Sequence, residues 1–482
     1  MSSQPIASPQ AAGGHDAAIE SVLRTQRSAF LENGPPVLRE RLAHLDALDA
    51  LIRDNHGRMA EALSEDFGNR SRHETLLAEA LGSLLVLRHT RKHLAKWVRP
   101  RRVPLNRLQQ PFARAYVNYQ PLGVVGVMAP WNYPYKLCFV PLAQALAAGN
   151  RVMIKPSELT PNASALTKEL LARAFGEDRV AVINGGPDVA AAFSRRKFDH
   201  LMFTGSTATG RRVMMAAAEN LVPVTLEMGG KSPVIVGDGY DLDKAAGAIA
   251  FGKLINAGQT CIAPDYGFVP EGRLDAFAAA FRKQASAMYP SLAANPDYSS
   301  IVSDQHHARL QALVADARDK GAEIIEINPS GEALGNARKI APTLILEPTG
   351  DMKVMQEEVF GPVLPLKTYR SIDEVIGHIN AGDRPLALYH FTHDEAEKQR
   401  VMDRALSGGV TINDTMLHVA IEDLPFGGVG ASGIGAYHGE AGFRTFSHAR
   451  SVMEQGRIAF NKAAWPPFGR RIERIARFLI GR

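Results

Sequence analysis

Short apolar segments alternate with helix-like segments between residues 123 and 228, and this alternation constrains the fold more than any other feature of the chain. Segments of this kind have the length and character of strands that are buried on both faces. Strands separated by helices form βαβ units, in which helices cover both faces of a parallel sheet. We therefore predict a Rossmann-like α/β fold. The predicted strands are residues 123–128, 151–154, 180–183, 200–203 and 224–227, and the predicted helices are residues 136–148, 162–175, 189–195 and 207–220.

The chain of 482 residues is too long for a single hydrophobic core, so we expect several domains. The pair Gly229 and Gly230 marks one predicted boundary, and a second α/β pattern follows it. The predicted divisions are a disordered tail at 1–15, a dinucleotide-binding domain at 16–228 to which 414–440 return, a second α/β domain at 229–413, a small β arm at 108–121 and 441–458, and a basic amphipathic tail at 459–482.

Composition and charge exclude several classes of function. The hydrophobic fraction of 45% and the charged fraction of 22% are ordinary for a globular protein. The net charge of +5 is small, and no dense Lys/Arg tract with interleaved aromatic residues accompanies it, so nucleic acid is not an expected partner. Residues 1–14 lack the apolar core of a signal peptide, and no apolar stretch is long enough to cross a bilayer. We expect a soluble, cytoplasmic protein.

The chain has only two cysteines, Cys138 and Cys261, which cannot form a disulfide framework and have no spacing suited to a metal site. We therefore expect a reducing compartment and no bound metal. Cys138 lies in an apolar helical run, which indicates a structural residue. Cys261 lies in a loop-like segment between glycine and proline, where chemistry is often placed. Composition and spacing alone do not decide whether Cys261 is a nucleophile or a small buried hydrophobic residue.

Two polar residues give Cys261 a chemical context. Glu227 ends a predicted strand just before two glycines, where α/β proteins place their ligands. Asn132 follows the first predicted strand, and its amide could donate a hydrogen bond to a developing oxyanion. Taken singly, Glu227 could be an ion-pair partner and Asn132 a turn former. Together with Cys261 they are typical of a nucleophile with a base and an oxyanion donor.

Six short motifs stand out along the chain: PWNYP at 130–134, IKPSE at 154–158, FTGST at 203–207, LEMGGK at 226–231, NAGQTCIAPDY at 256–266 and EVFGP at 358–362. They occur in the order found in the aldehyde dehydrogenase superfamily, which the chain resembles from about residue 20 to 455. Met228 stands where that family more often has leucine, a conservative change.

The resemblance implies NAD(P)-dependent oxidation of an aldehyde to the acid, with residues 229–413 as the catalytic domain. Cys261 would attack the aldehyde carbon as a thiolate, because the neutral thiol is a poor nucleophile. The Asn132 amide and the Cys261 backbone N–H would form the oxyanion hole. Hydride transfer to the nicotinamide would leave a thioester, and Glu227 would activate the water that hydrolyses it.

The predicted turn at 205–210 follows a strand and opens a helix, so its N–H groups could meet a pyrophosphate. It has only two glycines, and taken alone it is better explained as a plain β–α turn. The cofactor residues implied by the resemblance are Gly205, Ser206 and Gly210 at this turn, Lys155 and Glu158 at the adenine ribose, Glu358 at the nicotinamide ribose, Phe360 near the nicotinamide ring, and also Trp131 and Ser157. The Glu158 carboxylate would repel a 2′-phosphate, which favours NAD and leaves NADP open.

The segments at 385–389, 424–439 and 446–448 resemble the class III branch of the family, and those at 65–74, 258–266 and 416–419 resemble its bacterial coniferyl aldehyde dehydrogenases. An aromatic aldehyde such as coniferaldehyde is therefore the expected substrate, with medium- or long-chain alkanals as the alternative. That branch is typically dimeric, which implies a homodimer and an oligomerisation role for the β arm. Tyr133 and His418 are candidate substrate-pocket residues, although His418 could equally be structural.

Other functions stay open. A CoA-acylating dehydrogenase would share the thioester and pass it to a thiol, although a hydrolytic base at Glu227 counts against this. A non-enzymatic relative would be free to lose the nucleophile, whereas Cys261 is present, and a cysteine hydrolase is a further alternative. The basic amphipathic tail at 459–482 could dock on its own subunit, on a dimer partner or on a membrane surface, because its apolar run is too short to span a bilayer.

Overall fold

A computed structural model describes residues 9–106, 112–457 and 465–481. Within these residues the strands, numbered in chain order, are β1 (Arg101–Val103), β2 (Arg114–Pro121), β3 (Val124–Met128), β4 (Arg151–Lys155), β5 (Val180–Val182), β6 (His200–Gly205), β7 (Val224–Met228), β8 (Pro233–Val236), β9 (Tyr266–Pro270), β10 (Glu323–Glu326), β11 (Thr343–Leu346), β12 (Val363–Tyr369), β13 (Ala387–Phe391), β14 (Gly409–Ile412), β15 (Gly433–Ile434) and β16 (Ser447–Glu454).

The α-helices of the same residues are α1 (Pro9–Asn33), α2 (Leu38–Phe67), α3 (Arg72–Glu74), α4 (Gly82–Trp97), α5 (Pro134–Ala148), α6 (Pro161–Ala174), α7 (Pro187–Ser194), α8 (Thr207–Ala218), α9 (Leu242–Leu254), α10 (Leu274–Met288), α11 (Asp304–Asp319), α12 (Lys353–Gln356), α13 (Ile372–Ala381), α14 (Glu395–Arg404), α15 (Gly439–Thr445) and α16 (Arg470–Ile480). A π-helical turn, Thr75–Leu81, joins α3 to α4, and 3₁₀ turns cover Ile255–Gly258, Gly335–Ala337 and Leu417–Ala420.

A six-stranded sheet forms the centre of the first half of the chain, with the strand order β15-β7-β6-β3-β4-β5. All its pairs are parallel except β15 with β7, and every residue of β3, β4 and β5 is buried. The helices α5, α6 and α7 each begin at a proline, which is pre-organised for the first helical turn. The predicted α/β class and its Rossmann-like parallel sheet are confirmed, and each predicted boundary between residues 123 and 228 lies within two residues of the observed one.

The second sheet has seven strands in the order β10-β11-β12-β9-β8-β13-β14. Its pairs are parallel except for β10 with β11. The strands β8, β9 and β13 are buried along their whole length, because helices pack on the sheet. The predicted second α/β pattern is thus present. In the segment 414–440, predicted to return to the first domain, β15 pairs with β7 of the six-stranded sheet.

A small antiparallel sheet has the strand order β1-β2-β16. Eight residues of β16 pair with β2, from Ser447 opposite Pro121 to Glu454 opposite Arg114. In the described part of the chain, the outer edge of β16 has no partner strand. This sheet corresponds to the predicted β arm, of which residues 108–111 and 458 lie outside the described residues.

The helix α1 corrects one prediction. Residues 9–15 belong to this helix, so they are not part of a disordered tail as predicted, while residues 1–8 lie outside the described residues. The helix is held in place because Ile19 and Leu23 are buried and because Glu20 accepts a hydrogen bond from Arg196 at 3.4 Å. The small and polar residues before position 16 gave no apolar periodicity from which the start of this helix could be predicted.

The C-terminal segment contains α16, whose side chains are largely exposed. Ile475 is 45% exposed and Ile480 is 82% exposed, so the docking of this helix on a subunit or a membrane stays a prediction. Residues 459–464 of the predicted tail, and Arg482, lie outside the described residues. Across the described ranges, no helix is both long and apolar enough to cross a membrane, and no three His, Cys, Asp or Glu side chains group in a way that could hold a metal ion.

Candidate active site

The carboxyl ends of neighbouring parallel strands bring most of the predicted site residues to one edge of the six-stranded sheet. Lys155 at the end of β4 is in register with Met128 at the end of β3, and residues 130–132 follow directly. Glu227 in β7 is in register with Thr204 in β6. Ligands of open α/β sheets bind beyond the carboxyl ends of the strands. The topology therefore makes this edge the place where a ligand is expected.

A cavity of about 630 Å³ opens at this edge, and loops from both large sheets line it. Its volume lies within the usual range of small-molecule sites, roughly 300–1,000 Å³. All three predicted catalytic residues and five of the predicted cofactor residues line it. The lining residues are Pro130, Trp131, Asn132, Leu137, Thr204, Gly205, Ser206, Thr207, Ala208, Glu227, Met228, Gly229, Cys261, His306, Arg309, Gln356, Glu357, Glu358, Phe360, Leu386, Phe426 and Tyr437.

The loop that carries Cys261 is held by side chains of the segment that follows β3. Asn132 Nδ2 donates a hydrogen bond to the backbone oxygen of Gln259 at 3.2 Å. The Tyr133 hydroxyl lies 2.8 Å from Thr260 Oγ1. Tyr133, predicted to face the substrate, is therefore buried behind the loop, and it is not among the lining residues of the cavity. It contacts the residue before the cysteine and so fixes the position of Cys261.

The Cys261 sulfur lies beside two backbone donors, the N–H groups of Cys261 itself and of Ile262. Burial, together with the carboxyl groups of Glu358 and Glu227, raises the pKa of this thiol to about 12. The two N–H groups act in the opposite direction, because they stabilise the thiolate. The resting thiol is therefore protonated at neutral pH. The Cys261 N–H and the Asn132 amide are two donors of the kind that an oxyanion hole requires.

Glu227 is the most strongly desolvated carboxyl group of the cavity. It is 2% exposed, and neither carboxyl oxygen has a hydrogen-bond partner among the residues that the structure describes. Burial raises its pKa well above the ordinary value. Burial thus favours the protonated form of Glu227, and once deprotonated it is a stronger base towards water than an exposed carboxylate.

Glu358 lies directly over the backbone of Gly229. A Cβ atom at Gly229 would come within 2.0 Å of Glu358 Oε1, so only glycine permits this approach. Burial, and then the charge of Asp265, raises the Glu358 pKa to about 8, while the backbone N–H of Gly230 donates to the carboxylate and lowers it. A carboxylate at the cavity wall can accept hydrogen bonds from sugar hydroxyls. This arrangement suits the ribose contact that the family resemblance implies.

Aromatic side chains form one wall of the same cavity. Trp131 packs edge-to-face against Phe360, with ring centroids 5.4 Å apart. It packs in the same way against His306 at 5.1 Å. Phe360 adopts a left-handed backbone conformation with φ of 51°. The wall therefore presents flat apolar surfaces, which suit the ring of a cofactor or a substrate.

The turn from β6 to α8 places a helix N-terminus at the cavity. Ser206 caps the helix by accepting a hydrogen bond from the backbone N–H of Thr209 at 3.3 Å. Residues 207–208 line the cavity, and the first N–H groups of a helix have no acceptor within it. Gly210 lies behind the wall: its N–H bonds to the Ser206 oxygen, and a Cβ atom would come within 2.4 Å of Met228 Sδ. The structure therefore gives Gly210 a packing role.

The predicted adenine-ribose residues lie at the end of β4, outside the lining of this cavity. Lys155 Nζ donates to Glu158 Oε2 at 2.7 Å, and the Glu158 side chain is still 41% exposed. Ser157 is buried, and its Oγ accepts a hydrogen bond from the Leu159 N–H at 3.2 Å. The pair of Lys155 and Glu158 therefore offers both a donor and an acceptor at the edge of the sheet.

These features fit a bound dinucleotide. Gly205 and Gly229 have no side chains, so they leave the cavity open where it runs past the ends of β6 and β7 towards Glu358. The helix N-terminus suits a pyrophosphate, and the two carboxylates, Glu158 and Glu358, suit two riboses. The thiol of Cys261 faces the same space.

The comparison with known proteins agrees with this geometry. The aldehyde dehydrogenase family model matches residues 2–452. The chain belongs to the aldehyde dehydrogenase family.

Two relatives and one solved structure refine the assignment. The coniferyl aldehyde dehydrogenase of Pseudomonas sp. strain HR199 is 50% identical over 463 residues, which cover 95% of this chain and 96% of that protein. Aldehyde dehydrogenase family 3 member A2 of Mus musculus is 40% identical over 92% of this chain and 90% of that protein. The substrate-bound state of Staphylococcus aureus AldH superposes with a TM-score of 0.90 at 38% identity, over 96% of this chain and 99% of that one. The predicted family, branch and resemblance to coniferyl aldehyde dehydrogenases are confirmed.

Several residues of this aldehyde dehydrogenase site are not predicted from the sequence. Phe426 and Tyr437 line the cavity, and the segment 424–439 to which they belong indicates the branch of the family but no site role for either residue. His306 and Arg309 lie on α11, whose polar face gave no signal that distinguished them from solvent-exposed residues. His418, predicted near the substrate, stacks on Phe426 at 6.1 Å and bonds through Nδ1 to Thr411, so it lies behind the wall.

Proposed function

We propose that the protein oxidises an aromatic aldehyde of the coniferaldehyde type to the carboxylic acid, with NAD(P) as the hydride acceptor. The observation that carries this proposal is that Cys261, Glu227 and Asn132, which come from three separate segments, line one cavity. The 50% identity to a coniferyl aldehyde dehydrogenase supports the substrate class. Leu137 and Phe426 give the cavity apolar surface that suits a flat ring.

The residues of the cavity can perform the chemistry in two stages. The Cys261 thiol loses its proton to solvent, its sulfur forms a bond to the aldehyde carbon, and the carbonyl electron pair moves onto oxygen, where the Asn132 amide and the Cys261 N–H donate hydrogen bonds. Bound NAD(P) would supply the hydride acceptor. Glu227, in its carboxylate form, takes a proton from water, whose oxygen attacks the thioester carbon and releases the Cys261 thiolate.

The family uses NAD or NADP, and for this chain we propose NAD. The support is the partly exposed Glu158 carboxylate, which would accept hydrogen bonds from a free 2′-hydroxyl and repel a 2′-phosphate. The neighbouring Lys155 ammonium offsets part of that repulsion, so we expect a preference and not an absolute requirement. The ratio of kcat/KM for the two nucleotides measures it.

We also propose a homodimer built through the β arm. The support is the outer edge of β16, whose N–H and C=O groups have no partner strand among the described residues. Such edges are commonly covered by another chain. Light scattering of the purified protein tests this proposal. Both cysteines are free thiols, which is consistent with a reducing cytoplasm.

The decisive experiment compares Cys261→Ala with Cys138→Ala. We expect Cys261→Ala to abolish NADH formation from coniferaldehyde while NAD still binds. Cys138→Ala, at a buried thiol inside α5, should keep most of the kcat. Turnover by Cys261→Ala would refute the nucleophile assignment.

The same assay separates the alternatives. Product analysis with and without CoA distinguishes hydrolysis from acyl transfer, and a free acid formed without CoA supports the proposal. Values of kcat/KM for cinnamaldehydes, benzaldehydes and alkanals of increasing length test the substrate class. A preference for alkanals of more than tenfold would overturn the aromatic assignment, and no NADH from any aldehyde would indicate a non-enzymatic protein.

A further inference from the structure

Three consecutive residues shortly before the nucleophile, Asn256, Ala257 and Gly258, have a left-handed backbone conformation, with φ of 51°, 49° and 75°. Glycine adopts this conformation freely and asparagine tolerates it, whereas alanine rarely does. The turn is enclosed by the protein, since Asn256 is 0% exposed and Ala257 is 1% exposed. Strained backbone of this kind persists only where surrounding contacts fix it, and it is common at functional sites. The strain at Asn256 therefore indicates a specific task for its side chain.

The side-chain amide of Asn256 joins the two segments that supply the oxyanion donors. Its Nδ2 donates one hydrogen bond to the backbone oxygen of Asn132 at 3.2 Å and another to that of Gln259 at 3.1 Å. Asn132 Nδ2 donates to the same Gln259 oxygen at 3.2 Å. These hydrogen bonds form a closed ring, in which the Asn256 amide holds the main chain of Asn132 and shares an acceptor with its side chain.

The orientation of the Asn256 amide follows from its two acceptors. Both are carbonyl oxygens, which accept hydrogen bonds and cannot donate them, so Nδ2 must face them and not Oδ1. Among the residues that the structure describes, none donates a hydrogen bond to the buried Asn256 Oδ1. The backbone oxygen of Asn132 also accepts from Arg70 Nη1 at 2.8 Å. Each of the two carbonyl oxygens therefore has two donors, which use both of its lone pairs.

The rest of the loop is held by contacts that do not involve the Asn256 side chain. Gln259 Nε2 donates to the backbone oxygens of Asn256 and Ser300, both at 3.0 Å. Gln259 Oε1 accepts from the Val302 N–H at 3.0 Å. Glu74 Oε2 accepts from the backbone N–H of Asn256, also at 3.0 Å. A substitution of the Asn256 side chain should therefore leave the loop folded.

We propose that Asn256 is a positioning residue, whose amide orients the Asn132 side chain so that its second N–H meets the oxyanion formed beside Cys261. Asn256 does not line the cavity, so it acts through Asn132 and touches neither substrate nor cofactor. A donor that is already oriented stabilises the developing charge without a cost of reorganisation. The inference rests on the proposed oxyanion role of Asn132 and deepens it, because it names the group that keeps this donor in place.

The test is a double-mutant cycle of Asn256→Asp and Asn132→Ala. Aspartate has the shape of asparagine and tolerates the same backbone conformation, but it has at most one hydrogen for the two acceptors. We expect Asn256→Asp to lower kcat about tenfold or more in the wild-type background. In Asn132→Ala the loss should be less than about twofold, because the donor that Asn256 positions is then absent. KM for NAD should stay within twofold in both backgrounds, and additive losses in kcat would overturn the proposal.

Asn256→Gly and two controls separate positioning from folding of the turn. Glycine keeps the left-handed backbone and removes the amide, so its effect on kcat should match that of Asn256→Asp. Ala257→Gly relieves the same turn and leaves the amide in place. Asn220→Asp removes a donor at an exposed amide that bonds to the Arg195 oxygen. Both controls should keep kcat within twofold, and an equal loss in Ala257→Gly and Asn256→Gly would overturn the proposal, since the turn alone would then be responsible.

The ester 4-nitrophenyl acetate extends the test to a reaction without cofactor or aldehyde. Attack of the Cys261 thiolate on its carbonyl carbon forms the same kind of oxyanion, whose collapse releases 4-nitrophenolate and leaves an acetyl thioester. The rate of nitrophenolate release should show the same non-additivity in the cycle of Asn256→Asp and Asn132→Ala. If wild type formed no NADH but the ester showed this coupling, only the proposed function would be refuted. Additive losses with the ester would refute positioning by Asn256 alone, and a wild type that reacts with neither compound would refute both.

Discussion

Asn132 Nδ2 donates a hydrogen bond to the backbone oxygen of Gln259, 3.2 Å away and two residues before Cys261. The bond joins segments that are 127 residues apart in sequence. A side-chain amide has two donor hydrogens, so the second remains for a ligand in the cavity that Asn132 lines. Asn132 therefore positions the loop of the nucleophile and supplies an oxyanion donor at the same time.

We expect Asn132→Ala to lower kcat for coniferaldehyde by about 10²–10³-fold, the usual loss of one oxyanion donor, about 3–4 kcal/mol. The Kd for NAD, measured by fluorescence titration, should change little. The control is Asn33→Ala, at an exposed amide that bonds only within α1. A kcat within twofold of wild type would show that Asn132 has no role in the transition state.

Glu227→Gln should block hydrolysis of the thioester, which is the second stage of the reaction. Because glutamine cannot take a proton from water, the thioester should accumulate, and NADH should appear as a single rapid burst followed by turnover slowed about 10²–10⁴-fold. Mass spectrometry of the quenched enzyme measures the acyl group on Cys261. Full steady-state turnover without accumulated acyl-enzyme would remove Glu227 from this role.

The pH dependence of kcat gives a second, independent test of Glu227 as the base in thioester hydrolysis. Burial raises its pKa well above the ordinary value, so the deprotonated fraction that can act as a base increases over a higher pH range than it does for an exposed carboxylate. We expect kcat of the wild type to rise from pH 7 to pH 9. The acyl-enzyme hydrolysis rate of Glu227→Gln should lack this rise, and the same slope in both proteins would contradict the assignment.

The strand–helix alternation can be predicted from the sequence, because the strands of the six-stranded sheet are short and mostly apolar and the helices α5, α6 and α7 have proline at their first position. The start of α1 could not be predicted, since its first residues carry no apolar periodicity and the helix is held by tertiary contacts such as the hydrogen bond from Arg196 to Glu20. Tertiary packing of this kind is not recorded in local sequence.

The candidate site likewise contains residues whose roles could be predicted from the sequence and residues whose roles could not. Cys261, Glu227 and Asn132 follow strands or lie between glycine and proline, so their positions could be predicted, and the cavity brings them together. The lack of a side chain at Gly210 permits close packing against Met228, and the cofactor contact that the family resemblance implies for Gly210 stays a prediction.

Gly229→Ala should weaken cofactor binding through Glu358. The new Cβ atom would lie 2.0 Å from Glu358 Oε1 and would displace the carboxylate from the cavity wall. We expect KM for NAD to rise about tenfold or more, the equivalent of one lost charged hydrogen bond of roughly 1.5–3 kcal/mol. Gly377→Ala is the matched control, since a Cβ there meets nothing within 4 Å. An unchanged KM in Gly229→Ala would show that Glu358 does not hold the cofactor.

Arg70 is the buried cation beneath the catalytic loop. Its Nη1 donates to the backbone oxygen of Asn132 at 2.8 Å, and its Nε lies 4.0 Å from Glu74 Oε2. Its charge lowers the pKa values of Glu74 and Glu79, both of which burial raises. We expect Arg70→Met to lower the free energy of unfolding at pH 7 by about 3–5 kcal/mol, because it leaves buried carboxyl groups without a countercharge.

The pH dependence of the free energy of unfolding lost in Arg70→Met shows whether Arg70 stabilises the protein through its charge or through its packing. Without Arg70 the folded-state pKa values of Glu74 and Glu79 rise further, so the folded variant binds more protons than its unfolded chain between about pH 4.5 and those raised values. Its stability should therefore fall as pH rises, and the deficit relative to wild type should be larger at pH 8 than at pH 5 in urea titrations. Arg58→Met, at an exposed ion pair with Glu169, should cost less than about 1 kcal/mol at either pH. A deficit of Arg70→Met that does not change with pH would mean that Arg70 contributes through packing on Phe67 and not through its charge.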